Sequence, residues 1–246
     1  MAHEPPSNGE TPGFGESIRK LSTTLERADD RVRFVAKTRD PLYQDRLEHL
    51  GYPGVGGARF ATAWFPSSPG VSAYYERFAS SIEQMVLQSA RLVPVPWEDA
   101  LLEFLRRVEG SSLRWWLYGT AALAVRGLDV EPGDVDVNVD DAALAGRIFD
   151  DVLVTPVQEL QGWAARYVGR AFDGAIVEWL SEPYAENDDP ARPYEQGPFV
   201  ADRLETVEWR GQLVHVPPLA AQLRTCERRR LDDRARLIRA AMRVLA

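Results

Sequence analysis

The chain has 246 residues, 45% of them hydrophobic and 27% charged, with a formal net charge of −8. That length suffices for one large domain or two small ones with a sizeable core. The acidic balance argues against a general nucleic-acid coat, and no apolar run reaches the ~18–20 residues that span a bilayer. The opening MAHEPPSNGETPGFGES lacks the basic and apolar regions of a secretory leader, and the single cysteine, Cys226, has no internal disulfide partner. A cytoplasmic, reducing setting is therefore expected.

Residues 1–15, rich in Pro, Gly, Ser and Glu, are expected to be a disordered tail. Residues 16–95 read as a mainly helical region of unassigned role. Helical segments are expected from Ser17 to about Leu50, with Pro41 starting a helix after Asp40. Tyr52–Gly57 breaks the pattern, Ala58–Phe65 is a strand candidate, and a helix from Val71 to about Arg91 places Tyr74, Phe78, Ile82 and Met85 on one face. Pro94–Pro96 halts it. Residues 96–246 begin with a helix over Trp97–Val108, with Gly110 just beyond its end.

A strand over Arg114–Tyr118 then reaches Gly119-Thr120, which opens a short helix. After the Pro132-Gly133 turn the chain reads DVDVNVD. Side chains two apart on a strand share a face, so Val135, Val137 and Val139 are assigned to the core and Asp134, Asp136 and Asn138 to the outward side. Asp140 or Asp141 caps a helix reaching Phe149. Thr155-Pro156-Val157-Gln158 has the pattern of a capping box and predicts another helix. Ala165–Leu180 reads as a hairpin turning at Asp173-Gly174, and Tyr184–Pro198 as a loop. Strands near Arg203–Arg210 and Gln212–Val216 precede helices over Leu219–Arg228 and Leu231–Leu245. With strands clustered in residues 114–216 and helices on both flanks, the pattern is an α/β (α+β) fold with a mixed sheet, a helical N-terminal extension and a C-terminal helix pair.

The chemistry-bearing residues concentrate around Asp134 and Asp136. An ordinary half-buried strand is one reading of their alternation. A calcium loop is another, but it requires Gly where the chain has Val139 and Glu where it has Ala145. Paired carboxylates beside a glycine turn suit metal-assisted phosphoryl chemistry, in which two divalent cations are held mainly by oxygen ligands. A third carboxylate is then needed on a neighbouring strand. Glu178, isolated in AIVEWL, is costly to bury unless paired, exposed or metal-bound. Asp173 is the other candidate, although Asp-Gly is first of all turn chemistry.

The run G-[ST]-x-A-L-x-x-R-G, followed by [GS]-D-x-D-V, resembles the DNA polymerase β-like nucleotidyltransferase superfamily. The likeness is to its small bacterial members, including those that adenylylate aminoglycosides or lincosamides, and it spans Leu113 to the C-terminus. It implies a nucleotidyltransferase core in which Gly119 and Thr120 meet the triphosphate. Asp134 and Asp136 would hold Mg²⁺, and Glu178 would be the third acid. Gly133 stands where many members have Ser or His. Arg126 could reach a phosphate or pair with Asp129 or Glu131.

The expected activity is transfer of an NMP from an NTP to a hydroxyl of a small-molecule acceptor, with residues 16–95 contributing to the acceptor pocket. Two alternatives stay open. One is a toxin-like enzyme that modifies tRNA, suggested by eight arginines in residues 220–246 against Glu227, Asp232 and Asp233. The other is a catalytically inactive nucleotide-binding or interaction module of the same fold.

Overall fold

The computed structural model describes residues 20–159 and 165–245; the tail expected at residues 1–15 lies outside that range. Ser22–Ala28 (β1) and Arg31–Lys37 (β2) pair as an antiparallel hairpin, where helix was expected from Ser17 onward. The competing signal is the Asp29-Asp30 turn, with Asp29 at φ 51°, followed by Val32 and Phe34 at alternate, fully buried positions. Helix is realised from Pro41: Pro41–His49 (α1) is capped by the Asp40 side chain, which accepts from the Leu42 N–H. Arg59–Ala61 (β3) and Phe65–Pro66 (β4) both add to β2. Val71–Ser89 (α2) then buries Phe78, Ile82 and Met85 in one core with Phe34, Tyr43, Leu47 and Phe60. The N-terminal region is thus a four-stranded sheet carrying two helices, and strands are not confined to residues 114–216.

Trp97–Val108 (α3) leads through Trp115–Tyr118 (β5), Gly119–Ala124 (α4) and Val135–Val139 (β6) to Ala142–Ile148 (α5). Asp141 provides the α5 cap, its side chain accepting from the Leu144 N–H at 2.8 Å. Leu153–Glu159 (β7), Ala165–Asp173 (β8) and Ala175–Pro183 (β9) complete a five-stranded sheet of order β5-β6-β9-β8-β7. β6 and β9 run parallel and the other neighbours antiparallel, so the sheet is mixed. Leu101 and Phe104 of α3 pack on Leu117, Val137, Val177 and Trp179 to form the larger core. Burial of the β6 valines follows the expected alternation of that strand, and it fixes which face is left for polar side chains.

Two expectations fail in this region. Thr155–Gln158 lies in β7 and not in a helix. Pro156 is tolerated there because β7 is an edge strand, where a missing N–H costs no ladder bond. Asn138 is only 1% exposed and does not face outward to water; its amide donates to the Gln196 carbonyl at 3.1 Å.

Glu205–Trp209 (β10) and Gln212–Val216 (β11) form a separate hairpin, and Leu219–Arg228 (α6) and Asp232–Leu245 (α7) the C-terminal helix pair. Cys226 is 2% exposed, and burial pushes its thiol up to about 11, as befits a packed residue. No described helix is long and apolar enough to cross a membrane.

Candidate active site

The face of the sheet opposite the larger core gathers the acidic residues. β6 pairs with β9 so that Asp136 lies directly beside Glu178, and β5 places Tyr118 on the other side of Asp136. Asp134 precedes β6 on the same side. Burial raises the carboxyl of Asp134, and the nearby Glu178 charge adds to it. Asp136 is held well above the usual carboxylate range by burial first, then by the charges of Asp134 and Glu178. Tyr118 is likewise raised by burial and by Asp136. These are the marks of negative groups packed together and only partly offset by Arg170 near Asp134 and Arg229 near Asp136.

Gly119 is required where it stands. Its φ is +69°, and a Cβ there would come within 2.7 Å of Asp136 Oδ2. The Gly-Thr step therefore does bring a turn of backbone against the aspartates. Its N–H, however, is already taken: it donates to Glu195 Oε2 at 2.9 Å. Glu195 is 4% exposed, its carboxyl raised by burial, and its backbone accepts from Trp116 Nε1 at 3.0 Å. Nothing in the loop reading of YAENDDPARPYEQGP singled Glu195 out; a charged residue in a polar stretch carries no periodic signal of burial. The segment is pinned by Asp188, whose Oδ1 accepts from the Tyr194 N–H at 2.8 Å. Thr120 is half-buried in the first turn of α4, whose cap position is Tyr118.

Glu178 is half-buried and bound to Arg170. Both bonds from the guanidinium, from Nε at 2.9 Å and from Nη2, reach Oε2. Arg170 also donates from Nη1 to the Leu50 carbonyl at 2.8 Å and lies over the Tyr52 ring at 5.3 Å. Although burial opposes its charge, Glu178 holds Arg170 firmly protonated. Asp173 is exposed at the hairpin tip beside Gly174. Arg126 is not brought to the acids or to Asp129 or Glu131. It donates to Glu205 at 2.6 Å and to the Pro217 carbonyl at 2.8 Å.

Two cavities flank the acids. One, of about 310 Å³, lies between the Pro183–Gly197 segment and the end of α6, with Tyr194, Thr225, Arg228 and Arg229 in its wall. Arg229 is near enough to Asp136 for its charge to oppose that group's rise. The other, of about 530 Å³, opens between the α1–β3 connection and the β7–β8–β9 side of the sheet, and Arg170 and Glu178 line it.

Among the described residues no three His, Cys, Asp or Glu side chains converge closely enough to hold a metal ion by themselves. The pair Asp134–Asp136 nevertheless fits one. Both are crowded, raised carboxyls that a divalent cation would relieve, and Mg²⁺ is commonly held by one or two carboxylates plus substrate phosphates. Glu178 faces the same way but is committed to Arg170 through one oxygen.

No family model matches the chain, and no curated protein matches it. Among solved structures it is similar to the crystal structure of a proposed nucleotidyltransferase from Thermotoga maritima. The identity is 19% and the TM-score 0.44, over 61% of this chain and 96% of that one.

Proposed function

We propose that the protein transfers a nucleotidyl group from an NTP to a hydroxyl of a small-molecule acceptor. The observation that carries this reading is the in-register placement of Asp136 beside Glu178, with Asp134 two residues away and Gly119 pressed against Asp136. Mg²⁺ held by Asp134 and Asp136 would neutralise phosphate charge. Glu195 holds the Gly119 N–H, so the phosphates fall chiefly to Arg229 and Arg228, with Thr120 as a further contact. The acceptor oxygen bonds to the α-phosphorus, the bond to the β-phosphate oxygen breaks, and pyrophosphate leaves. Glu178 Oε1 takes the acceptor proton, because both Arg170 bonds go to Oε2. The test is pyrophosphate release and label transfer from each NTP with Mg²⁺ and a broad acceptor panel. Identical traces from wild type and Asp136→Ala would sink the reading, and would favour an inactive binding module.

A tRNA acceptor is the second reading, favoured by the exposed run Arg228–Arg230 beside the smaller cavity. Much of the remaining basic face is neutralised internally, through Arg236–Asp233, Arg239–Glu227 and Arg224–Asp189 pairs. Binding of tRNA that weakens steeply with salt, and is lost when Arg228–Arg230 are replaced, would select it.

A further inference from the structure

We infer that the larger cavity is the acceptor site and that it takes a neutral, polyhydroxylated small molecule of one or two rings. The inference rests on the nucleotidyl-transfer reading for the word acceptor, but its ligand chemistry comes from the cavity itself. Thr155 and Gln158 line the cavity and are 6% and 8% exposed. Thr155 Oγ1 and Gln158 Oε1 have no hydrogen-bond partner among the described residues. Buried polar atoms left in that state are costly, by roughly 1–3 kcal/mol each, and each calls for an explanation. Donor hydroxyls on a ligand, met after small side-chain rotations, supply one.

The strand that carries them is irregular for the same stretch. Pairing of β7 with β8 shifts register between Leu153 and Thr155 and again between Thr155 and Gln158. Such bulges re-aim side chains and are common beside sites of chemistry. The charged groups along the inner wall cancel, since Arg170 and Glu178 bind each other, leaving Glu48 and His49 exposed at the rim. The inner wall therefore offers no free charge to anchor an anion or a cation, and the Glu48 carboxylate stands only at the exposed rim. Such a wall suits hydroxyls, and it leaves Glu178 Oε1 to accept from one of them. A volume of about 530 Å³ falls in the ordinary range for small-molecule sites.

The test uses the full chain and saturation-transfer NMR with myo-inositol, glucose, N-acetylglucosamine and sucrose as probes. Wild type is compared with Ala63→Trp, which fills the cavity from an exposed wall position, and with Gln158→Leu, which removes the unpartnered carbonyl. The thermal shift given by each Mg-NTP is recorded on the same samples and also reports that the variants fold. At least one probe should bind wild type, with its affinity reduced tenfold or more in both variants. Absence of all probe binding, or binding unaltered in both variants, overturns the proposal while an Mg-NTP shift would keep the nucleotidyl-transfer reading alive. Probe binding lost in the variants, in a protein that responds to no Mg-NTP, overturns the acceptor role together with that reading.

Discussion

The two halves of the acidic sheet face are built on opposite terms. Under the Pro183–Leu204 segment and α6, polar groups are closed off and largely bound to one another, although Asn138 Oδ1 and Gln222 Oε1 find no partner among the described residues. Glu195 accepts from Gly119, Trp116 donates to the Glu195 carbonyl, and Asn138 donates to Gln196. On the other side of Asp136, beneath the α1–β3 connection, the face stays open, and buried Thr155 and Gln158 atoms lack partners among the described residues. A carboxyl on this face can therefore be held by a hydrogen bond in one half and stand among other acids in the other. Glu195 and Asp136 are both raised by burial, but Asp136 is surrounded by acids whereas Glu195 has an N–H. What separates them is the N–H that Glu195 holds and the acids that crowd Asp136.

The comparison breaks most sharply at Asp136. Asp136→Asn should lower nucleotidyl transfer by about 10²–10³-fold or more, the scale of losing a main electrostatic group in a site, measured as pyrophosphate release at saturating NTP. The same change should raise the melting temperature of the metal-free protein, since it removes a carboxyl whose charge is disfavoured by burial and by its acidic neighbours. If Asp136→Asn melted lower than wild type in EDTA, Asp136 would belong with Glu195 as a structural residue.

Gly119→Ala attacks the joint between the halves. With φ at +69° and Asp136 Oδ2 at 2.7 Å from the new Cβ, folding should lose about 1–3 kcal/mol from backbone strain alone. Urea denaturation reads that loss. Next in size, Glu195→Ala should cost roughly 1–3 kcal/mol by stranding the Gly119 N–H. Glu195→Gln, which keeps an acceptor, should cost less and should gain on wild type as pH rises.

The pH dependence follows from the direction of the shifts. Asp134, Asp136 and Glu195 are raised from ordinary values of 3.8, 3.8 and 4.5. The folded chain then keeps protons that the unfolded chain has released, so these groups make stability fall as pH climbs from about 4 through their raised values. Melting temperature in EDTA should accordingly decline over that range, and the decline should be shallower in Asp136→Asn. Glu103, far from the site, has the opposite sign. Hydrogen bonding to Arg106 lowers it to about 2, so Glu103→Gln should destabilise above pH ~4.5 and become neutral as pH falls through about 2. Because Glu103 is partly solvent-exposed, the effect should stay below about 1 kcal/mol.

The sequence carried the periodic half of this picture and missed the half built from long-range contacts. Alternation in DVDVNVD assigned Val135, Val137 and Val139 to the core, and Glu178 was singled out because an acid in an apolar strand needs a reason. That Asp136 and Glu178 are direct neighbours depends on parallel pairing, which no local pattern encodes. Thr155-Pro156 misled because a capping box and a proline on an edge strand look alike until the sheet order is known. Arg126 was drawn to the site by its closeness in sequence to Gly119, yet its partner Glu205 lies 79 residues on. Glu195 and Arg170 matter through partners 76 and 120 residues away, beyond the reach of spacing arguments.

The last of these separations bears on how the protein is made. Leu50 leaves the ribosome 120 residues ahead of the arginine that clasps its carbonyl, which at typical synthesis rates is several seconds or more. Through that interval the Leu50 carbonyl and the Tyr52 ring have no Arg170 to meet them. Glu178 follows within a further eight residues and finds its guanidinium waiting. The acidic corner is thus one of the later parts of the molecule to be assembled, and a nascent chain halted before β9 holds the cleft's first wall without Glu178.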